Sequence, residues 1–528
     1  MNTKFKKITA LVFTFSIVAF LVVCFFLNTK SFTVPFKKLS NGEINTTEFI
    51  AEVKNSYISN VKFKEDFINV NGFFARVTGR NHYNQVTKLK NGMLTYNNKA
   101  ERDMSDYVNS FTELDKYLKD SGIDHIFMLT PTKVDINETL SPAGTVNYGN
   151  LNADKLLAGL EKNGVSYYDF RKTMSASVEQ IEQYFYKTDH HWNTDGAFYA
   201  YGQILELLDK KYPNANIDLS NANGQNWNVE IYEDAFLGSH GKRVGIPYAG
   251  LDDFLLYTPK FDTDMSMYVV KHRNFYSGSF DDTIVTNRNY LTSKNYFNEN
   301  TYCAYIGGDY PIIYVKNKNA DSDLRVLFIK DSFALPLTGF MGTTFKEVIT
   351  IDPRYLTDCT AAECIETMQP DIVISMINPC IFDDRSYTKL GVKEAIVHKN
   401  QTKVDNIFEK ESFIVKAEQD VTHAHKAIIG ADKISSNLKY KVSFDDVNFL
   451  SGESECITIA LYNGTQKKYI SSYAFDIEYC RENGFEWTIT TPKIEQGDDV
   501  KIIIYAGRHG QTNGNHVEFK NLKVEKYS

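Results

Sequence analysis

The order of apolar segments between residues 51 and 400 limits the fold of this chain more than any other feature. The stretch YVNSFTELDKYLKDSG places Val108, Phe111, Leu114 and Leu118 at helical spacing, and the strand-like IDHIFMLTP follows it. The same order recurs in NADKLLAGLEKNG and VSYYDF, while LRVLFIK and DIVISMI are further apolar runs bounded by turns. This alternation predicts an α/β domain at 51–400, with a mostly parallel sheet flanked by helices.

The pattern changes near residue 400, where short β-rich segments replace the alternation. These segments are FIVKAE, YKVSFDDV, CITIALYN, FEWTITTP, VKIIIYAG and VEFKNLKVEK, and no helix-like stretch separates them. Short strands joined by turns are typical of a β-sandwich or jelly roll, so residues 401–528 are predicted to form a second domain. We expect this domain to fold by itself, because it has enough strands for two sheets.

An unbroken apolar run, ITALVFTFSIVAFLVVCFFL, occupies Ile8–Leu27. A helix of this length spans ~30 Å of hydrocarbon, and three lysines precede it, so residues 1–7 are predicted to lie in the cytoplasm. Residues 28–50 read as a polar linker. A cleaved signal peptide is the alternative, but no small-residue cleavage site follows the run. We therefore expect a single-pass protein of the cell membrane whose folded domains lie outside the cytoplasm.

Charge and motif content exclude several function classes. The net charge is −8 without a long basic block, which argues against nucleic-acid binding. The chain has no Gly-rich phosphate loop of the Walker or dinucleotide type, and no cofactor is predicted. None of the cysteines forms a CxxC pair; Cys456 with Cys480 is the most plausible disulfide, because both lie in the β-rich region.

The stretch YFYKTDHHWNTDGAFYAY contains the most distinctive group of polar residues. Thr194 or Asp195 is predicted to cap the helix that follows. Residues two apart in extended chain project to the same side, so Asp189 can reach the imidazole of His191 while His190 points elsewhere. A carboxylate that orients an imidazole is two-thirds of a hydrolase triad.

The segment LRVLFIKDSFALPLTGFM supplies a candidate nucleophile. Ser332 follows a buried strand and precedes a predicted helix, and sites in open α/β sheets form at the carboxyl ends of strands. A helix starting just beyond Ser332 would direct backbone N–H groups at a developing oxyanion. From this segment alone, a helix cap is the favoured interpretation of Ser332; its joint occurrence with the Asp-x-His-Trp segment favours the nucleophile.

A metal site is the competing interpretation of the histidine pair. Asp189, His190, His191 and His240 could supply the three or four ligands that zinc or manganese needs. Adjacent histidines diverge, however, and rarely chelate one ion well. We therefore predict no metal.

TDHHW matches the signature of the DHHW proteins, which are similar to the alginate O-acetyltransferase group of SGNH-hydrolase-like proteins. Three further blocks agree: LKNGMLTY, LTPTKVDI and FIKDSFALPL…DPRYL. The resemblance covers roughly residues 70–380, although Met93 stands where this group commonly has tryptophan. It implies an SGNH-like catalytic domain in which Ser332 is the nucleophile, His191 the base and Asp189 the residue that orients it.

Arg354 and Asn378 follow strand-like runs and are candidates for stabilising the oxyanion, and Gly238 could supply a backbone N–H group. The alternatives are a salt-bridged structural role for Arg354 and a turn position before Pro379 for Asn378. The C-terminal domain resembles carbohydrate-binding modules found beside some of these catalytic domains. Candidate sugar contacts are Trp192, Tyr462, Tyr469 and Trp487.

The implied function is an O-acetyltransferase that acts outside the cytoplasm on a polysaccharide acceptor through an acetyl-serine intermediate. A membrane-bound acyltransferase is the implied partner that supplies acetyl groups. Two alternatives stay open: an acetylesterase with the same triad, and a non-catalytic protein of polysaccharide binding or assembly.

Overall fold

In the computed structural model, two compact units are formed by the described residues, which are 12, 14, 15, 18, 19, 29–60, 63–357, 359–392 and 401–528. The first unit holds the described residues up to Arg80 together with Lys242–Gly250. The second unit holds Asn81–Gly241 and Leu251–Ser528. All of the predicted site residues belong to the second unit.

The first unit is helical, and Gly72 sets the spacing of its backbone. A β-carbon on Gly72 would lie 2.0 Å from the carbonyl oxygen of Val244, so only glycine permits this approach. Helices also form within the segment that the sequence predicted as a linker. The helices of this unit are Lys30–Ser40, Thr46–Asn60, Lys64–Val77 and Ile246–Ala249.

The predicted membrane anchor at residues 8–27 lies largely outside the described residues. Five positions of that segment are described, and each of them is helical. Within the described part of the chain, no helix has the length and apolar character needed to cross a membrane. The anchor stays a prediction.

The second unit is built on a sheet in which eight of the described strands pair. Four neighbouring pairs are parallel and three are antiparallel, so the sheet is mixed where the sequence predicted a mostly parallel one. The strands, in spatial order, are Tyr167–Asp169, Asp124–Leu129, Ile372–Ile377, Ser322–Lys330, Phe345–Ile351, Ile312–Asn317, Met265–Val269 and Asn274–Gly278.

Each face of this sheet covers a hydrophobic core. Along Ser322–Lys330, Leu327 and Ile329 enter one core and Val326 and Phe328 enter the other, as expected for side chains that alternate across a strand. The predicted helix Ser105–Asp120 packs its apolar stripe into the first core. The remaining α-helices of this unit are Gly149–Lys162, Arg171–Met174, Val178–Tyr184, Thr194–Lys211, Ser239–Val244 (which continues into the first unit), Phe280–Thr283, Ala334–Met341, Ala361–Met368 and Ile477–Asn483.

Smaller elements complete the α/β region. Trp227–Phe236 and Asp252–Pro259 form an antiparallel pair. A small antiparallel sheet contains His82–Tyr83, Val86–Lys88 and Leu94–Tyr96. Short 3-10 helices lie at Leu219–Ala222, Gly224–Asn226, Arg288–Leu291, Thr301–Ala304, Pro379–Ile381 and Arg385–Thr388.

The C-terminal region forms two antiparallel sheets, as the short β-rich segments predicted. The helix Ile477–Asn483 interrupts them, and Asp476 caps its N-terminus by accepting a hydrogen bond from the Tyr479 amide. One sheet contains Lys403–Lys416, His516–Tyr527, Lys439–Phe444, Phe485–Thr490 and Asp446–Ser451. The other contains His425–Ile429, Val500–Tyr505, Cys456–Asn463 and Lys468–Asp476.

The C-terminal sheets share a hydrophobic core with the mixed sheet. Ile349 of the mixed sheet and Val442 of the sandwich belong to the same buried cluster. Polar contacts join the regions as well: Tyr268 and Ser472 are 3.0 Å apart at their hydroxyls, and the Tyr473 hydroxyl donates to Glu347 at 3.2 Å. The sandwich therefore packs as part of the α/β body.

The described cysteines are all free thiols, including Cys456 and Cys480, which the sequence suggested as a disulfide. Cys359 and Cys364 have their sulfur atoms 3.1 Å apart. The β-rich composition of the C-terminal region thus did not indicate which cysteines lie close together.

Candidate active site

Ser332 lies in a tight turn between the strand Ser322–Lys330 and the helix Ala334–Met341. The carboxylate of Asp331 fixes this turn. Its Oδ1 accepts from the backbone N–H of Phe333 at 2.9 Å, and its Oδ2 accepts from the backbone N–H of Asn378 at 2.7 Å. Burial raises the pKa of Asp331, although the Arg354 charge opposes the shift. The Asp-Ser sequence therefore ties the serine to the end of a neighbouring strand.

His191 bridges Ser332 and Asp189. Its Nε2 is 2.6 Å from the Ser332 hydroxyl, and its Nδ1 is 2.5 Å from Oδ1 of Asp189. The imidazole also stacks on the ring of Tyr302, with centroids 4.0 Å apart and planes 9° from parallel. Three residues from two distant parts of the chain thus form a continuous serine–imidazole–carboxylate chain, which is the arrangement of an acyl-transfer triad.

Asp189 is buried and ionised. Burial by itself would raise its pKa, but the nearby His190 and His191 and the hydrogen bond from His191 hold the pKa well below its usual range. Its Oδ1 also accepts from the His191 amide at 3.0 Å, and Oδ2 accepts from the Ser239 amide at 2.6 Å. Both carboxylate oxygens are therefore fixed, and so is the imidazole that they orient.

Lys133 holds the backbone that carries Asp189. Its ammonium group is buried and donates to the carbonyl oxygens of Tyr186, at 3.0 Å, of Lys187, at 3.1 Å, and of Asp189. Burial lowers the pKa of Lys133 to about 7. The LTPTKVDI block thus contributes a clamp on the histidine segment, a role that its sequence did not reveal.

His190 lies against His191, although the sequence predicted that it would point elsewhere. The two ring centroids are 3.8 Å apart, and Nδ1 of His190 is 2.9 Å from the Ser239 hydroxyl. Burial, followed by the nearby His191, lowers the pKa of His190 to about 3. A neutral His190 therefore packs against the His191 ring, and His191 alone of the two makes the hydrogen bond to Ser332.

The helix that follows is capped by Asn193 instead of Thr194 or Asp195. The Asn193 side chain accepts from the Gly196 amide at 2.9 Å, and the helix begins at Thr194. Asp195 lies in the first turn and accepts from the Tyr257 hydroxyl at 2.6 Å. Three residues here are all suitable caps, so the sequence placed the cap one or two residues too late.

The N–H groups of Asn378 and Gly238 that were proposed to stabilise the oxyanion already donate hydrogen bonds within the protein. Asn378 donates its two amide hydrogens to the Thr130 hydroxyl at 2.9 Å and the Pro131 carbonyl at 2.8 Å. The Gly238 amide donates to the Thr188 hydroxyl at 2.8 Å. A β-carbon on Gly238 would lie 2.2 Å from that of Asp189, so this glycine allows close packing behind the triad.

The N-terminal amides of the helix after Ser332 are likewise engaged. The Phe333 amide donates to the Asp331 carboxylate, the Ala334 amide to the Asp331 carbonyl, and the Leu335 amide to the Ser332 carbonyl. These N–H groups serve the turn, whereas the sequence suggested that they would face an oxyanion.

Arg354 belongs to a cluster of charges around Lys330, two residues before Ser332. It makes two bonds to Asp352, at 2.9 and 2.6 Å, and a third to Asp309 at 3.2 Å. Lys330 lies between the same carboxylates, 2.6 Å from Asp309 and 3.4 Å from Asp352. Two cations and two anions thus fix the end of the strand that precedes Ser332. This ion-pair cluster explains why a lysine stands at position 330 of the Lys-Asp-Ser segment.

The aromatic residues expected to contact sugar divide into two groups. Trp192 is fully buried and donates to the Phe333 carbonyl at 2.9 Å, and Trp487 is 5% exposed in the sandwich core, so neither has a ring face in solvent. Tyr462 and Tyr469 are half-buried, with ring centroids 5.0 Å apart.

The metal interpretation is weakened by the hydrogen bonds. Asp189, His190 and His191 each place one ligand atom within 4.8 Å of the others. Yet both ring nitrogens of His191 are in short hydrogen bonds, and Nδ1 of His190 bonds Ser239. An ion would have to replace these bonds, and His240 is absent from the group. The arrangement fits proton transfer better than metal binding.

Comparison with known proteins agrees with the geometry. Residues 90–230 match the family described as SGNH hydrolase-like domain, acetyltransferase AlgX. No curated protein shows a significant match to this chain.

Several solved structures are similar to parts of the chain. PatB1 of Bacillus cereus with a sulfonyl adduct is 20% identical, with 57% of this chain and 97% of that chain covered and a TM-score of 0.48. A DHHW family protein of Eubacterium siraeum is 18% identical, with coverages of 60% and 97% and a TM-score of 0.44. AlgX of Pseudomonas aeruginosa is 12% identical, with coverages of 84% and 94% and a TM-score of 0.37.

The resemblance to this family rests on the sequence match of residues 90–230. Its 90–230 span includes the DHHW segment with Asp189 and His191, but ends before Ser332. The predicted resemblance is thus confirmed over residues 90–230, which match the family model described as an SGNH hydrolase-like domain of acetyltransferase AlgX.

Proposed function

We propose that this protein is an O-acetyltransferase that acetylates hydroxyl groups of a polysaccharide outside the cytoplasm. The observation that carries the proposal is the hydrogen-bonded chain from Ser332 through His191 to the ionised Asp189. The match of residues 90–230 to an acetyltransferase family supports acyl transfer as the reaction class.

The reaction proceeds in two balanced steps. His191 takes the Ser332 proton at Nε2 while the serine oxygen attacks the acetyl carbon of the donor ester. The donor's carbon–oxygen bond then breaks, its oxygen receives the proton, and acetyl-serine remains. In the second step His191 removes the proton of an acceptor hydroxyl, which attacks the acetyl carbon and releases the Ser332 oxygen, and that oxygen recovers the proton.

Asp189 and Lys133 are positioning residues in this scheme. Asp189 keeps a proton on Nδ1, so that Nε2 is free to accept the serine proton, and it stabilises the imidazolium that forms. Lys133 keeps the backbone of Asp189 in place through three carbonyl groups.

The donor and the location of the reaction complete the proposal. A membrane-bound acyltransferase is the partner expected to supply acetyl groups, and the apolar run at 8–27 is expected to anchor the chain beside it. The C-terminal sandwich is proposed to hold the acceptor polymer.

The test compares the wild-type protein with Ser332→Ala, using an activated acetyl ester as donor. We expect the wild type to form an acetyl-serine that mass spectrometry assigns to Ser332, and to turn over the ester. Loss of one triad residue costs several orders of magnitude in rate, so Ser332→Ala is expected to be inactive while keeping its fold. Ser220→Ala, at an exposed serine of the 3-10 helix Leu219–Ala222, is the control for loss of a hydroxyl.

Acceptor sugars separate transfer from hydrolysis. Transfer requires that oligosaccharides increase ester turnover and become acetylated. Ester cleavage that sugars leave unchanged would identify an acetylesterase, and polymer binding without any acetyl-serine would identify a non-catalytic protein. A chelator arm tests the metal alternative, since zinc-restored activity would contradict the triad.

A further inference from the structure

The outer face of the helix Lys64–Val77 carries large apolar side chains that lie in solvent. Val70, Phe73, Phe74 and Val77 are each between 51% and 59% exposed. They stand at i, i+3, i+4 and i+7, so they form one stripe along the helix. The apolar stripe of a helix normally faces a core, and a stripe that faces solvent indicates a surface that another apolar phase or molecule covers.

The opposite face of the same helix packs within the first unit. Gly72 and Ala75 are buried, and the Arg76 guanidinium donates to the Pro247 carbonyl at 3.2 Å. Successive residues of a helix are about 100° apart, so Gly72 and Ala75 lie about 180° from the centre of the stripe. The close approach of Gly72 to Val244 fixes this orientation. Rotating the helix to bury the stripe would break these contacts.

Exposed apolar side chains are concentrated in this part of the chain. Of the 23 large apolar side chains that are exposed among the described residues, nine lie between residues 29 and 80, which is under a tenth of the 528 residues. Single apolar residues scattered over a surface are normal in soluble proteins, but such a concentration marks a contact surface.

The first unit is also positively charged. Residues 29–60, 63–80 and 242–250 contain nine Lys and Arg against five Asp and Glu, a net charge of +4, in a chain whose net charge is −8. An apolar helix face combined with basic side chains is typical of helices that lie in the interface of a membrane with anionic lipids. The charge of this unit therefore favours lipid over a protein as the molecule that covers the stripe.

The predicted anchor supplies a membrane next to this unit. The apolar run Ile8–Leu27 ends shortly before the helix Lys30–Ser40, and both belong to the first unit. A run that spans the bilayer keeps the unit at the membrane surface. Lipid is then present at a high effective concentration, whereas a protein partner has to be recruited.

We propose that the helix Lys64–Val77 lies in the lipid–water interface, with Val70, Phe73, Phe74 and Val77 among the acyl chains and the basic side chains of the unit beside anionic headgroups. The helix has 14 residues and is ~21 Å long, too short to cross the hydrocarbon, so it lies in the membrane plane. This contact is additional to the predicted span. It is independent of acetyl transfer, because it requires only a membrane.

Quenching of tryptophan by lipids with brominated acyl chains tests the proposal on the full chain reconstituted into phosphatidylglycerol-containing vesicles. The native Trp192, Trp227 and Trp487 are buried, so a tryptophan at an exposed position adds a separate signal. We expect the bromines to quench most of the emission that Phe74→Trp adds. Ile231→Trp, at an exposed apolar position of the second unit, is the control and should stay unquenched.

Two charged variants, made in the Phe74→Trp chain, test the stripe itself. Val70→Glu places a carboxylate on the stripe and should remove most of the quenching, because a charge resists entry among acyl chains. Asn71→Glu adds the same charge about 110° from the centre of the stripe and should retain the quenching. Vesicles of phosphatidylcholine alone should quench less, since they lack the anionic headgroups. Should Val70→Glu fail to fold, Val77→Gln decides the same question.

Unquenched emission from Phe74→Trp in a chain that resists an alkaline wash would overturn the proposal, because the anchor would then hold while the stripe stays out of lipid. Emission that is blue-shifted but unquenched would mean that a second copy or another protein covers the stripe, and would also overturn it. Equal quenching with Val70→Glu and Asn71→Glu would exclude the stripe, and equal quenching in both kinds of vesicle would exclude the role of charge. A chain that the wash removes contradicts the anchor, whereas quenching measured before the wash still decides the stripe.

Discussion

His191 makes short hydrogen bonds through both ring nitrogens, whereas its neighbour His190 touches the same ring without reaching the serine. This difference predicts unequal effects of substitution. His191→Ala should reduce acetyl-ester turnover by several orders of magnitude, and His190→Gln by far less, because an amide can still bond the Ser239 hydroxyl. Steady-state kinetics on both variants checks this. A larger loss of turnover in His190→Gln than in His191→Ala would mean that His190 is the catalytic base.

Lys133 offers a sharper test of positioning at the same scale. Lys133→Met removes three hydrogen bonds from the segment before His191, so we expect kcat to fall about 10- to 100-fold with KM for a small ester unchanged. Lys187→Met is the matched control, since only the backbone carbonyl of Lys187 takes part. A rise in KM with constant kcat would instead indicate substrate binding by Lys133.

Buried neutral histidines make the free energy of unfolding depend on pH. Burial lowers the pKa of His190 to about 3 and holds that of His240 well below its usual range. Below pH 6.5 the unfolded chain binds protons that the folded chain excludes, so stability is present above pH 6.5 and falls as pH falls. Each group costs about 1.4 kcal/mol per pH unit in that window.

Urea unfolding at pH 7.5, 5.5 and 4.5 measures this slope. His240→Phe cannot titrate and should show a shallower loss than the wild type by about 1.4 kcal/mol per pH unit. An equally steep loss in His240→Phe would show that His240 is protonated in the folded state.

The contacts among Asp189, His191 and Ser332 could be predicted from sequence, because an Asp-x-His segment and a strand-end serine occur together in this chain. Tyr302, Asp309 and Lys133 could not, because their roles depend on contacts with residues far away in the chain. Tyr302 meets His191 only after folding, and Asp309 meets Lys330 across two strands.

At the scale of elements, the start of the helix Thr194–Lys211 gives a direct prediction. Asn193→Ala removes the cap on the Gly196 amide and should cost about 1 kcal/mol of unfolding free energy. Asn193→Asp keeps an acceptor and should retain most of the stability. Equal destabilisation by the two changes would show that the bond from Asn193 to the Gln183 carbonyl matters more.

The existence of helices and strands was readable from apolar periodicity, but the direction of strand pairing was not. Met265–Val269 is buried along its whole length, as central parallel strands are, yet it pairs antiparallel with Ile312–Asn317. Burial on both faces follows from layers above and below the sheet, so it carries no information on direction.

At the scale of the whole molecule, one buried cluster joins one face of the mixed sheet to the sandwich, so we expect the α/β region and the sandwich to depend on each other for stability. A chain that ends at residue 400 would expose the apolar side of the shared core and leave Glu347 without its Tyr473 partner. We therefore expect this chain to aggregate or to lose cooperative unfolding, whereas a chain from residue 29 to 528 unfolds cooperatively. Calorimetry and gel filtration measure both. A soluble, active chain ending at residue 400 would contradict the shared core.

The ribosome adds His191 long before Ser332. Of the eight strands of the mixed sheet, the last to be synthesised is Ile372–Ile377. Ile372–Ile377 lies between Asp124–Leu129 and Ser322–Lys330 in the sheet. Domains acquire native contacts in the order that synthesis permits. Until residue 377 has been synthesised, the strand Asp124–Leu129 and the strand Ser322–Lys330 have no strand between them with which to pair. We therefore expect a partly made chain that ends before residue 372 to turn over acetyl esters poorly, even though Ser332 has already been added.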